Sequence, residues 1–169
     1  MPFSRPYPEL SAFIGDPSSL EEMVQDASRV VEQEIGKQKG FVGVTLRGSF
    51  RLARTLAPHY VERMITQFFE PVLGALTPFF HAALDRDVRL KTHFSENAPA
   101  VVEALLEITD AYSAQDRDGP LKSAYKRLRP RLHERMQPSM GPLGALVDRH
   151  LASAWQPGVS PLQAGSRPA

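Results

Sequence analysis

No cysteine occurs among the 169 residues. That removes disulfides, thiolate metal sites and cysteine nucleophiles together, and leaves a chain with no need of an oxidising compartment. A cytoplasmic location is the expectation. A membrane-length apolar run is missing as well: the uncharged, apolar-rich stretch Pro71 to Leu84 covers fourteen residues, whereas a bilayer-spanning helix needs about 20. It reads as a buried helix, and no transmembrane segment is expected. Met1 to Gly15 carries Pro2, Pro6 and Pro8 and no apolar stretch of the length that a secretory signal requires, so export is not expected.

Chemical signatures are also wanting. There is neither GxGxxG nor a Walker lysine motif to cradle phosphates. The nucleophile elbow GxSxG is absent, and Ser49, between Gly48 and Phe50, has no local base to activate it. The five histidines fail the sharper metal tests: no HExxH occurs, and none has a glutamate three residues before it, as di-iron bundles require. His59 with Glu62 and His93 with Glu96 are weak reversed pairs, for which capping or solvation is the simpler account. No cofactor and no metal is expected, no catalytic residue is assigned, and catalysis is not the leading expectation.

What is present is helical patterning. Hydrophobic residues make up 42% and charged residues 23%, the balance of an ordinary soluble globular protein. A chain of this size buries roughly 70% of its unfolded surface. Many of the 15 prolines fall where a first helical turn tolerates a missing N–H. Asp16-Pro17-Ser18-Ser19, with Glu22, predicts a helix start, and Leu20, Met23, Val24, Ala27, Val30, Val31 and Ile35 lay an apolar stripe ending at Gly36. Residues 41–56 are ambiguous, because Val42, Val44 and Leu46 alternate like a strand. Val42, Leu46, Phe50 and Ala53 keep a helical period for longer, and helix is preferred. Pro58 to Leu84 is strongly apolar and crossed by Pro71 and Pro78, predicting a central hairpin with a break or sharp kink near Glu70-Pro71 and an irregularity near Thr77-Pro78.

Asp85 to Phe94 reads as a polar connector. A helix then starts near Ser95 or Asn97, another at Gly119-Pro120, and a last one runs from Pro142 to Trp155. The reading is an all-α, single-domain bundle of about six amphipathic helices with proline-kinked central helices. It divides into a proline-rich segment 1–15, the bundle 16–156 and a flexible tail 157–169. Phe68 and Phe80 are expected in the core. Lys37, Gly40, Gly43, Arg47 and Phe50, followed by a helix with paired aromatics and then Lys122, Tyr125, Leu128, Arg129 and Pro130, resemble an uncharacterised family of small helical bacterial proteins. The resemblance spans about Val30 to Leu151. It implies the helical fold and carries no assigned activity.

Charge order is the unusual feature. Residues 1–36 hold two basic and seven acidic side chains, and 37–63 hold six and one; 64–120 hold four and nine, and 121–135 six and one. Arg47, Arg51 and Arg54 share one helical face opposite Val42, Leu46 and Phe50, and Lys122, Lys126 and Arg129 form a comparable edge. With Lys37 and Lys39 in the turn before the second helix, these are the candidate anion-binding residues. The competing account sets the basic blocks against the chain's own acidic ones; Glu103, Glu107 and Asp110, which share a helical face, could bind a cation or act as acid and base, but a solvated face or a surface for those basic segments is the preferred account. Three functions remain. The leading one is a non-catalytic helical interaction or assembly module whose partner is another protein or a second copy. The second is a polyanion-binding protein taking nucleic acid or an anionic membrane surface. The third is a small-ligand carrier or enzyme with a pocket between helices lined by Phe68, Phe69, Phe79 and Phe80.

Overall fold

A computed structural model describes Leu10 and residues 17–56, 59–115 and 120–151. The rest of the proline-rich segment 1–15 and the expected tail 157–169 lie outside the described residues. Seven α-helices are described: α1 (Pro17–Lys37), α2 (Gly40–Leu56), α3 (Tyr60–Asp85), α4 (Leu90–Glu96), α5 (Ala98–Gln115), α6 (Pro120–Met136) and α7 (Met140–Leu151), with a 3-10 turn Gln137–Ser139 before the last. No strand occurs among the described residues. Residues 41–56 are helical, and the side chains of Val42, Leu46, Phe50 and Ala53 lie outside the described residues.

The expected central hairpin is instead one helix. α3 runs unbroken through Pro71 and Pro78 for 26 residues. Pro71 and Pro78 lie on its exposed side, as do Gln67 and Gly74, whose carbonyls lose their helical donors, so water can supply the missing hydrogen bonds. The opposite side buries Leu73, Leu76, Phe80 and Ala83, and this continuous apolar stripe holds the helix together across both prolines. Pro130 likewise sits exposed inside α6.

The expected polar connector after α3 is likewise overturned. It contains α4, whose Leu90, His93 and Phe94 are buried. Seven residues are too few for a helix to persist alone, since isolated helices below about 12 are marginal. α4 survives because α7 is pressed along it. Gly144 makes that approach possible: a Cβ there would stand 2.5 Å from the Leu90 carbonyl oxygen, and one on Gly141 would stand 2.7 Å from Ser95 Oγ. One helical turn beyond Gly144, the buried Asp148 carboxylate accepts the Leu90 and Lys91 backbone N–H groups, each at 3.0 Å. Arg89, at the N-cap position, makes no side-chain cap. Asp148 therefore caps α4 from another helix, satisfying two of the donors that every helix start leaves over.

The core joins α3, α4, α5 and α7, with Val101, Val102 and Leu106 from α5 and Met140, Val147 and Leu151 from α7. Met23 adds α1, and Leu10, placed before the bundle by its sequence context, is fully buried and donates its backbone N–H to Thr77 Oγ1 at 3.3 Å. His150 Nε2 lies 3.1 Å from Asp26 Oδ2 and ties α7 to α1. Phe80 is in the core as expected, but Phe68 is only half-buried, its ring edge-on to the exposed Tyr112 at 5.1 Å. Phe80→Ala is expected to cost about 3–5 kcal/mol in urea unfolding and Phe68→Ala distinctly less. Gly144→Ala should destabilise strongly because its clash is with backbone, and Asp148→Asn should cost about 1–3 kcal/mol by leaving one buried N–H without an anionic acceptor.

Candidate interaction surface

The acidic row and the second basic block meet in one network. Arg129 on α6 donates through Nε and Nη2 to Asp110, at 2.9 and 2.7 Å to Oδ2, and through Nη2 to Glu103 Oε1 at 2.7 Å. Tyr125 Oη donates to Asp110 Oδ1 at 2.7 Å, and His133 Nε2 lies 3.5 Å from Glu103 Oε2. Residues 103 and 110 are seven apart on α5, two turns on one face, while 125, 129 and 133 repeat every four on α6. The fork of Arg129 thus spans two carboxylates. Hydrogen bonds from Arg129 hold the Glu103 and Asp110 carboxyls below their ordinary pKa values, and Tyr125 is pushed up to about 12 by burial and by its bond to Asp110. Arg129 is raised, chiefly by Asp110 and then by Glu103. Glu107, between the two carboxylates in sequence, is exposed.

Other cations bond within the chain as well. Arg135 donates to the Lys39 carbonyl at 2.8 Å, bringing the end of α6 beside the start of α2, and Arg47 bonds the Gln38 carbonyl. Gly40, at φ 70, supplies the left-handed turn between α1 and α2. Lys37 pairs with Glu34, which also accepts a bond from Ser139 at 2.6 Å. Burial alone would raise the Glu34 carboxyl, but these two bonds bring it below its ordinary value. Lys39, Arg47, Arg51 and Lys126 are exposed, while the side chains of Arg54 and Lys122 lie outside the described residues.

The histidine pairs do not assemble metal shells, and among the described residues no group of three or more His, Asp or Glu is placed to hold a metal ion. His93 is buried, its Nδ1 3.2 Å from Arg86 Nη1, which also donates to Glu96 at 2.9 Å. Burial, with the Arg86 charge, lowers its pKa. His59, left-handed at φ 61, is exposed 3.9 Å from Glu62. The four phenylalanines are differently placed. Phe80 is sealed in the core, Phe79 packs edge-on to Phe94 at 6.3 Å, and Phe68 meets Tyr112. A groove of about 710 Å³ lies elsewhere, between α1 and the start of α3, with Leu20, Val24, Glu21, Glu32 and Glu62 among its walls.

The surface that stands out is the solvent side of α2. Phe41 is 73% exposed and Val44 63%. Arg47, Gly48, Arg51 and Thr55 are exposed too, and at 100° per residue all six fall within about a third of the helix circumference. α2 contains no acidic residue. Sequence reading found the arginines and missed Phe41 and Val44, whose signal was an apolar pair on the cationic arc instead of the stripe through Val42, Leu46 and Phe50.

The Arg129 network fixes a pH dependence. The folded pKa values of Glu103 and Asp110 lie below those of the unfolded chain, about 4.3 and 3.9. Their stabilisation is therefore present above that range and is lost as pH falls through the folded values. In Arg129→Met, carboxyl carbon resonances of Glu103 and Asp110 should titrate at ordinary values, and the thermal midpoints of variant and wild type should converge on acidification. Tyr125 titrates the other way: its contribution is full below about 10 and is lost as pH rises toward about 12, which absorbance of the phenolate should report.

No curated protein and no solved structure matches the chain. A family model does, over residues 10–151, from buried Leu10 at its start to buried Leu151 at its end. With that span covering all of the described helices, the chain belongs to DUF6918, a family of unknown function.

Proposed function

We propose that this protein is a non-catalytic helical interaction module whose contact surface is the solvent side of α2. The observation that carries the reading is the exposure of Phe41 and Val44 beside Arg47 and Arg51. Scattered exposed apolar residues are ordinary, but two on adjacent turns within a cationic arc form a patch. Aromatic side chains and arginine are the types that protein contacts concentrate, the aromatics because they remove a large area from water with few rotamers to freeze and arginine because its planar fork makes several hydrogen bonds at once. The polar side chains elsewhere support the same reading, since Arg129, Glu103, Asp110, Asp148 and His93 make bonds that hold helices together. The lack of cysteine favours action in the cytoplasm.

A photo-crosslinking amino acid installed at position 44 should give a protein adduct in cells, and one at exposed Glu107 on α5 should give none. Arg47→Glu with Arg51→Glu should abolish the adduct at 44 while the thermal midpoint of the purified chain stays within a degree or two, as expected for exposed sites. Absence of any adduct at 44 overturns the proposal.

A further inference from the structure

Resting on that reading, we infer that the partner of the α2 face is a second copy of this chain, which receives the face in the groove between α1 and the start of α3. Three observations fit the two surfaces to each other. The first is charge. Glu21 of α1 and Glu62 of α3 line the groove, Glu62 beside the exposed His59 at 3.9 Å, and its Arg29 is already bonded to Asp26 at 2.7 Å. The arriving helix has no carboxylate and presents Arg47 and Arg51. The second is apolar content: Leu20 and buried Val24 line the same groove, where Phe41 and Val44 would lose their contact with water. The third is length. Glu32 lies twelve positions beyond Leu20, about 18 Å along the helix, and Arg51 ten beyond Phe41, about 15 Å.

Within one chain this contact is not made, because Phe41 and Val44 stand exposed. Face and groove are different surfaces, so two copies can exchange them reciprocally about a two-fold axis, or add head to tail. Oppositely charged walls also fix the register and speed the encounter, which is what electrostatic complementarity supplies at an interface.

The test uses the full chain and two charge reversals. One variant carries Arg47→Glu and Arg51→Glu on the face; the other carries Glu21→Arg and Glu62→Arg in the groove. Light scattering after size exclusion and sedimentation velocity should show self-association of the wild type that weakens as salt shortens the Debye length from about 10 Å at 0.1 M to about 3 Å at 1 M. Each variant alone brings like charges together and should associate at least about tenfold more weakly. Mixed one to one, the intact face meets the intact groove and the reversed face meets the reversed groove, and association should return. Circular dichroism checks that each variant folds, and Glu21→Gln with Glu62→Gln replaces the groove variant if it does not.

A wild type that stays monomeric up to about millimolar concentration, association that survives in both variants, or a mixture that stays apart overturns the self-docking inference. If the purified chain is monomeric while the probe at 44 captures a different protein, self-docking falls and the interaction surface stands. If the monomer adsorbs to phosphatidylserine vesicles through Arg47 and Arg51, self-docking falls in favour of a lipid surface. If the probe captures nothing, the interaction reading itself falls.

Discussion

The Asp148 carboxylate, set against the start of α4 by two glycines, is the contact on which the rest of the bundle depends. α4 lies where the chain leaves α3 and enters α5, so its direction sets how those two long helices diverge. A seven-residue helix has no means of fixing that direction from within. Gly141, Gly144 and Asp148 occupy one side of α7 at spacings of three and four. The glycines remove the side chains that would hold the backbones apart, and the carboxylate then reaches two N–H groups that would otherwise be buried without acceptors. Leu90 and Phe94 of α4 and Val147 and Leu151 of α7 enter the core beside that contact.

A second carboxylate arrangement performs the corresponding task for α6. Its basic side chains would repel one another on an isolated helix, and Arg129 answers this by inserting between Glu103 and Asp110 of α5. The alternation of acidic and basic blocks along the chain is thus partly a wiring diagram for helix pairs. His150 with Asp26 and Arg135 with the Lys39 carbonyl follow the same logic. α2 departs from it: Arg51 and the apolar pair Phe41 and Val44 face solvent on a helix without an acidic residue. The surface proposed for docking is therefore distinguished by what the internal pairing leaves over.

Helical periodicity was enough to place α1, α5 and α6 and to favour helix over strand in α2, because each carries at least three turns of a repeating apolar stripe. It failed at α4, where Leu90, His93 and Phe94 span barely one turn and the cap comes from a residue 58 positions away. The break expected at Pro71 is absent from α3, since each proline costs one hydrogen bond on the exposed side of a helix whose other side is buried. Leu10 was hidden by its prolines, and Phe68 by being as apolar as Phe80. Of the site, the arginines were legible from charge spacing, and of the acidic row Glu103 and Asp110 meet the chain's own Arg129 while Glu107 is exposed. Which arginines those carboxylates engage, and which stay exposed, depends on how α5 and α6 pack, information no single helix contains.

The distance along the chain between α4 and its cap also bears on how the protein comes into being. A ribosome adding about 5 to 20 residues per second makes Asp148 roughly 3 to 12 s after Leu90. Throughout that interval α3, α4 and α5 exist without the helix that orders them, with Leu90 and Phe94 lacking their cover from α7. The core cannot close until α7 has been made, and the nascent chain is most in need of protection from aggregation just before that helix emerges.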